Sequence, residues 1–242
     1  MVILIRKRHF HVLLVYLFLL GCTGAMVLFG QQENLTVMSE IHTITTPVFV
    51  IDAGHGGEDG GAVAADGTPE SGINLDIALK LNALLRFFGH RTAMIRAEDI
   101  SIDTPGLATF RQRKSSDLQN RVAFANQYDH AVLISIHQNS LPSVPSVHGA
   151  QVFYNTKPNG KEFAEYIQTA LNIGINADNK KHTRQIDDSI YLMKHSNVPS
   201  VLVECGFLSN AAETALLKQP AYQSKIAASI LSGIITAQQD IL

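Results

Sequence analysis

Two cysteines in 242 residues, Cys22 and Cys205, leave this chain without a disulfide framework. Cys22 sits inside an apolar stretch and Cys205 near the C-terminus, so a bridge between them would have to reach into a membrane. A disulfide-free chain is the better reading, and it is compatible with an extracytoplasmic location. Excess positive charge is also missing. The 19 lysines and arginines face 21 aspartates and glutamates, which excludes the broad basic footprint of a nucleic-acid binder. There is no internal repeat and no low-complexity segment. No His-Glu-x-x-His helix is present, and no Gly-x-Gly-x-x-Gly or Lys-Ser/Thr glycine loop, so the familiar local signatures of zinc proteases and phosphate cradles are absent.

What is present suits a globular chain with a real core: 46% hydrophobic and 17% charged residues. Ten histidines are a mild hint of metal chemistry. At the N-terminus Arg6, Lys7 and Arg8 precede an uncharged apolar run over 12–30, long enough to span a bilayer with little tilt. The basic flank stays in the cytoplasm, so the rest of the chain is expected outside. A cleaved signal peptide is one alternative. A lipoprotein signal is another, since Leu19-Leu20-Gly21-Cys22 loosely resembles a lipobox. The run continues through Met26, Val27, Leu28 and Phe29, which favours an uncleaved anchor over 1–30. Residues 31–46 are polar and read as a linker, leaving 47–242 as one α/β domain.

Within that domain, short apolar runs alternate with helical patterns. Strands are expected at 48–51, 92–95, 131–136, 150–154 and 200–203. Helices are expected at 73–88, 117–127, 161–173 and 223–238, the second capped by Ser116 with Leu118, Val122 and Ala125 inward. This alternation argues for a largely parallel sheet sandwiched by helices.

Three of the strands run into chemistry. Val48–Ile51 leads to Asp52-Ala53-Gly54-His55-Gly56-Gly57, Ala131–Ile136 to His137-Gln138-Asn139, and Val201–Val203 to Glu204. Ligands gather beyond the carboxyl ends of strands in open parallel sheets, so parallel pairing would bring His55, His137 and Glu204 together. Glu70, just before the long helix, is a third candidate metal ligand or simply a group favoured by the helix dipole. Two imidazoles and a carboxylate suit zinc with an open position, and Glu58 and Asp59 compete for the carboxylate place. Glu204 is either a buried partner for an arginine such as Arg121 or a base that takes a proton from water. Asn139 is a candidate for orienting a ligand or substrate, and His148 for touching substrate.

The segments 48–57, Glu70 ahead of Ile-Asn-Leu, Leu-Ile-Ser-Ile-His-Gln-Asn (133–139), Gly-Ala-Gln-Val-Phe-Tyr (149–154) and Val-Leu-Val-Glu-Cys-Gly-Phe-Leu-Ser-Asn (201–210) resemble the zinc-dependent N-acetylmuramoyl-L-alanine amidases, the amidase-3 family. The resemblance covers essentially all of 47–242. It implies a mixed six-stranded sheet flanked by helices, and hydrolysis of the amide between the lactyl group of muramic acid and L-alanine of the peptidoglycan stem. It also implies one zinc ion held by His55, Glu70 and His137, with Glu204 as catalytic base. Ala53 replaces the usual proline and Cys205 a usual aliphatic or small residue, and neither change removes a ligand. Arg111 to Arg121, Asp188 to Lys194 and the lone anchor resemble the germination-specific amidases of spore-forming bacteria. That subgroup strips stem peptides in the spore cortex ahead of muramic-δ-lactam formation, and some family members need an activating protein. General vegetative wall amidase, zinc peptidase of the stem and non-catalytic wall binder are the rival readings.

Overall fold

The computed structural model describes residues 46–187 and 189–241. Its strands are β1 (Val48–Ala53), β2 (Arg91–Met94), β3 (Ala131–Asn139), β4 (Gln151–Tyr154), β5 (Arg184–Gln185) and β6 (Ser200–Phe207). Its helices are α1 (Glu70–Phe87), α2 (Phe110–Ala125), α3 (Gly160–Gly174), α4 (Tyr191–His195), α5 (Ala211–Leu217) and α6 (Pro220–Ile241). The strands form a single sheet in the order β2-β1-β3-β6-β4-β5. β1 pairs in parallel with β2 and β3, and β3 with β6, while β4 runs antiparallel to β6. The sheet is therefore mostly parallel and mixed, and β1, β3 and β6 all point the same way. β3 and β6 run past the expected ends at 136 and 203, so His137 and Glu204 lie within strands near their carboxyl ends, while His55 lies just beyond β1.

Alternation of side chains across the pleat builds two cores of unequal size. Phe49, Ile51, Ile134, Ile136, Val201 and Val203 pack against α1, α3 and α6 through Ile77, Leu81, Ile167 and Ile230. The opposite face buries Val48, Val50 and Leu133 against Ala125 of α2 and Leu192 of α4. Each fully buried aliphatic or phenyl side chain contributes about 1.5–3 kcal/mol, so the larger face fixes a rigid platform under the strand ends.

The smaller face departs from the periodicity reading. α2 begins at Phe110, two turns earlier than expected, and Thr109 caps it in a reciprocal capping box with Gln112. Ser116 is no cap: its hydroxyl bonds Thr104 instead. The buried positions of α2 are Asp117, Arg121 and Ala125, with Leu118 and Val122 only half-buried. A buried ion network rotates the helix away from its apolar stripe. Arg121 pairs with Asp52 at 2.5 Å and Asp117 at 2.6 Å, and Asp52 also accepts from Ser135 at 2.6 Å. The Arg121 side chain is thus spoken for, and the rival reading of Glu204 as its partner does not hold. β5, α4 and α5 are further short elements that periodicity did not reveal, being two, five and seven residues long.

Among the described residues no helix is long and apolar enough to cross a membrane. The anchor expected over 12–30, Cys22 and the linker up to residue 45 lie outside the described residues, as does Asp188. Cys205 is a free, buried thiol.

Candidate metal centre

His55 lies just beyond β1 with φ 60°, a left-handed conformation uncommon for a residue with a side chain. Such backbone persists when its surroundings over-determine it, and here two arginines do so. Arg121 donates to the His55 carbonyl at 2.7 Å and the Ala53 carbonyl at 2.9 Å. The buried Arg96 donates to Ala53, Gly54 and Ser71 carbonyls at 2.7, 3.0 and 2.9 Å. The ligand loop is clamped to α2 a second time through Glu58 to Arg113 and Asp59 to Lys114.

This geometry turns the His55 ring toward α1, whose first residue is Glu70. His55 Nε2 lies 3.2 Å from Glu70 Oε1, and His137 Nδ1 lies 3.1 Å from the same oxygen. The two imidazoles sit nearly edge to face, centroids 5.0 Å apart. Glu70 is buried, and its other oxygen accepts from the Ala62 amide at 2.7 Å. Asn74, one turn along α1, donates to Glu70 Oε1 at 3.1 Å and is itself held by Gln138 at 3.1 Å. Two glycines make room for this packing. A Cβ on Gly54 would fall 2.2 Å from the His137 ring. One on Gly61, at φ +68°, would fall 2.4 Å from Glu70 Cγ.

Electrostatics match a site prepared for a cation. Burial pushes the Glu70 carboxyl up, but the His137 and His55 imidazoles outweigh it and hold it well below the usual carboxylate range. Burial pulls His55 down, yet the Asp59 and Glu70 carboxylates carry it to about 9. Ligand atoms of His55, Glu70 and His137 lie within 4.8 Å of one another, so the three could hold a metal ion. The donor set fits: two imidazole nitrogens and a buried carboxylate oxygen converge on one point, and a metal competes with protons for such groups.

Glu204 completes the cluster from β6, where it is the direct register partner of His137. Its Oε2 is buried and has no hydrogen-bond partner, one of two such side-chain atoms among the described residues. Burial, reinforced by Glu70 and opposed by the imidazoles, raises the Glu204 carboxyl to about 7. An orphaned carboxylate of this kind is costly, and perturbed acids in clefts mark functional sites. All four residues line one cavity of about 420 Å³, walled on its far side by Leu118, Tyr191, Leu192 and Leu202.

Other candidates fall elsewhere. Glu58 is engaged by Arg113, and Asp59 contacts not the cluster's centre but the outer nitrogen of His55, Nδ1, at 2.8 Å. That is the usual place of a carboxylate that fixes a ligand imidazole's tautomer. Asn139 lines the cavity, with its Oδ1 turned to the Ser140 amide. His148 belongs to a separate cavity beside Glu213 and Tyr222. Asn74, Gln138 and Arg96 went unnoticed in the sequence. Asn74 carried a signal: it is a polar residue beside the apolar stripe of α1, one turn from Glu70.

Residues 49–236 match the family described as N-acetylmuramoyl-L-alanine amidase. The chain belongs to this family. The amidase is 35% identical over 221 residues to the germination-specific N-acetylmuramoyl-L-alanine amidase of Bacillus subtilis (strain 168), covering 90% of this chain and 92% of that one. It is 31% identical to LytC of the same organism, an N-acetylmuramoyl-L-alanine amidase of which it spans 43%. Among solved structures it is similar to the CwlD amidase from Clostridioides difficile, determined in complex with the GerS lipoprotein. There the TM-score is 0.77 and the identity 38%, over 80% of this chain and 99% of that one. The amidase is accordingly a hydrolase that separates N-acetylmuramic acid from the L-alanine of the stem peptide.

Proposed function

We propose that this amidase works with a zinc ion held by His55, Glu70 and His137, and with Glu204 as its general base. The observation that carries the assignment is the buried, unpartnered Glu204 carboxylate beside the two-imidazole, one-carboxylate cluster. When bound, zinc supplies a Lewis acid that polarises an amide carbonyl and acidifies water. Glu204 takes the proton from the attacking water and returns it to the departing alanine nitrogen, work for which a carboxyl near neutrality is suited. Asp59 holds the His55 ring by its outer nitrogen, and Asn74 holds Glu70. The cavity beside the cluster seats the substrate.

The germination-specific relative supports a role in the spore cortex. The resemblance to that subgroup implies that freeing muramic acid of its stem precedes muramic-δ-lactam formation there. The lipoprotein bound to the similar amidase supports an activating protein partner for this one. The basic flank and the uncharged run over 12–30 support an anchored enzyme with its catalytic domain outside the cytoplasm, in a sporulating cell at the forespore envelope. Mass spectrometry of digested peptidoglycan tests the whole reading. Intact free stem peptides are expected from the zinc-loaded protein, and none from Glu204→Gln with its metal retained. Shortened stems would mean a peptidase, no release a binding protein, and full turnover by Glu204→Gln a different base. Cortex from a strain lacking the gene should be depleted of muramic-δ-lactam; unchanged cortex would point to a vegetative role.

A further inference from the structure

At the end of the sheet opposite the metal centre, α1 closes on an aromatic pair that the core does not use. Phe87 is 83% exposed and Phe88 55%, the rings packed edge to face with centroids 5.4 Å apart. Gly89 then turns the chain into β2. The first residue of β2, Arg91, pairs in register with Val48, the first residue of β1. His90 packs edge-on against Phe49. The pair therefore stands at the edge of the sheet where the chain enters the domain from residue 46. Single exposed hydrophobics are ordinary, but two adjacent phenyl rings fixed against one another form a rigid apolar corner.

The charges around this corner are as telling. Arg86 and Arg91 flank the rings, both exposed, and neither forms an ion pair among the described residues. Asp129, in the loop that leads to β3, stands at the entry of the second strand in from β2. Exposed phenyl rings beside uncommitted arginines are the composition of an interfacial surface, the rings entering the headgroup/acyl boundary and the guanidinium groups meeting anionic lipid phosphates. In the anchored reading, a linker of the length of 31–46 extends at most about 55 Å, so the tethered domain would experience the bilayer at high effective concentration.

We propose that Phe87 and Phe88, with Arg86 and Arg91, form a membrane-contact corner that seats the catalytic domain on an anionic lipid surface. This rests on the anchored reading given above and deepens it. Contact at this corner would turn the opposite end of the sheet, with His55, His137 and Glu204, and the start of α1 at Glu70, away from the lipid and toward the wall.

The protein contains no tryptophan, so one introduced indole reports alone. Phe87→Trp, and separately Leu216→Trp on α5 as a control, are placed in the full chain and reconstituted in phosphatidylethanolamine–phosphatidylglycerol vesicles. The expected result is loss of Phe87→Trp emission with brominated acyl chains and its protection from aqueous iodide, with the reverse for Leu216→Trp. Arg86→Glu combined with Arg91→Glu should restore iodide access to the Phe87→Trp indole while soluble-substrate turnover stays unchanged. Equal iodide access for both indoles in chain that floats with the vesicles would overturn the corner and leave the anchor standing. Iodide protection without bromine quenching would mean a protein occupant and would also overturn it. A chain that fails to float would sink the anchor and this inference together.

Discussion

Gly54→Ala separates the geometry of the centre from the identity of its ligands. Gly54 touches no metal and lies outside the left-handed region, so alanine suits its backbone. An added Cβ, however, would stand 2.2 Å from both Cε1 and Nε2 of His137 and 2.7 Å from Cδ2. Carbon atoms rest at about 3.5 Å or more, so the ring must withdraw by about 1.3 Å. It has little freedom to do so, because Nδ1 on its other edge already meets Glu70 at 3.1 Å. A displacement of about 1 Å in a catalytic constellation costs roughly 100-fold in rate. Overpacking of this kind costs about 1–3 kcal/mol of stability. Gly54→Ala is thus expected to fold, with a modestly lower Tm, to bind zinc more weakly in a chelator titration, and to lose about two orders of magnitude in peptidoglycan turnover. Gly72→Ala on α1, where a Cβ meets nothing within 4 Å, is the control and should keep both metal and activity. Wild-type zinc affinity and turnover in Gly54→Ala would refute the claim that this close approach positions His137.

Three further outcomes follow from the same geometry. Asp59→Asn leaves every ligand in place but weakens the hold on His55 Nδ1, and zinc affinity by competition with a chelator should fall about 10–100-fold; an unchanged affinity would reduce Asp59 to a loop clamp. Glu204 is carried from 4.5 to about 7, so the folded state holds a proton that the unfolded state gives up. Its contribution to stability is present below pH 4.5 and is lost as pH rises through about 7, by up to about 3 kcal/mol in the metal-free protein. Glu204→Gln should therefore raise the metal-free Tm at pH 8 and not at pH 4, while the wild-type enzyme loses turnover as its base protonates on the acid side; equal shifts at both pH values would count against this. Arg121→Met strands Asp52 and Asp117 and frees the His55 carbonyl, and should lower stability by about 3–5 kcal/mol in denaturant unfolding; a loss under 1 kcal/mol would show that water substitutes for the guanidinium.

The parts of this molecule legible in its sequence were those written in local pattern. Buried parallel strands are continuous apolar runs, so β1, β3 and β6 are legible, and the first polar residues after those runs include His55, His137 and Glu204, the last two still within β3 and β6. A stripe on α1 and the glycine after it marked that helix. Glu70 could be named as a ligand only through the family resemblance, because Glu58 and Asp59 were equally well spaced. Distance in the fold separates them: the path from Gly54 through Gly61 returns Glu70, fifteen residues on from His55, to 3.2 Å from its ring. The buried face of α2 is not legible from its apolar stripe, because the stripe competes with a buried ion network, and Asp52, sixty-nine residues from Arg121, lies beyond any helical period. The order of burial within strands, the sign of chain alternation and the chemistry of strand ends are properties of neighbouring residues, and the sequence by itself determined them. Which carboxylate meets which imidazole, which glycine yields room to a ring, and which acid is left buried without a partner depend on contacts between segments far apart in the chain. Only the tertiary structure decided those, because van der Waals exclusion and desolvation act on distance in space and are blind to separation along the chain.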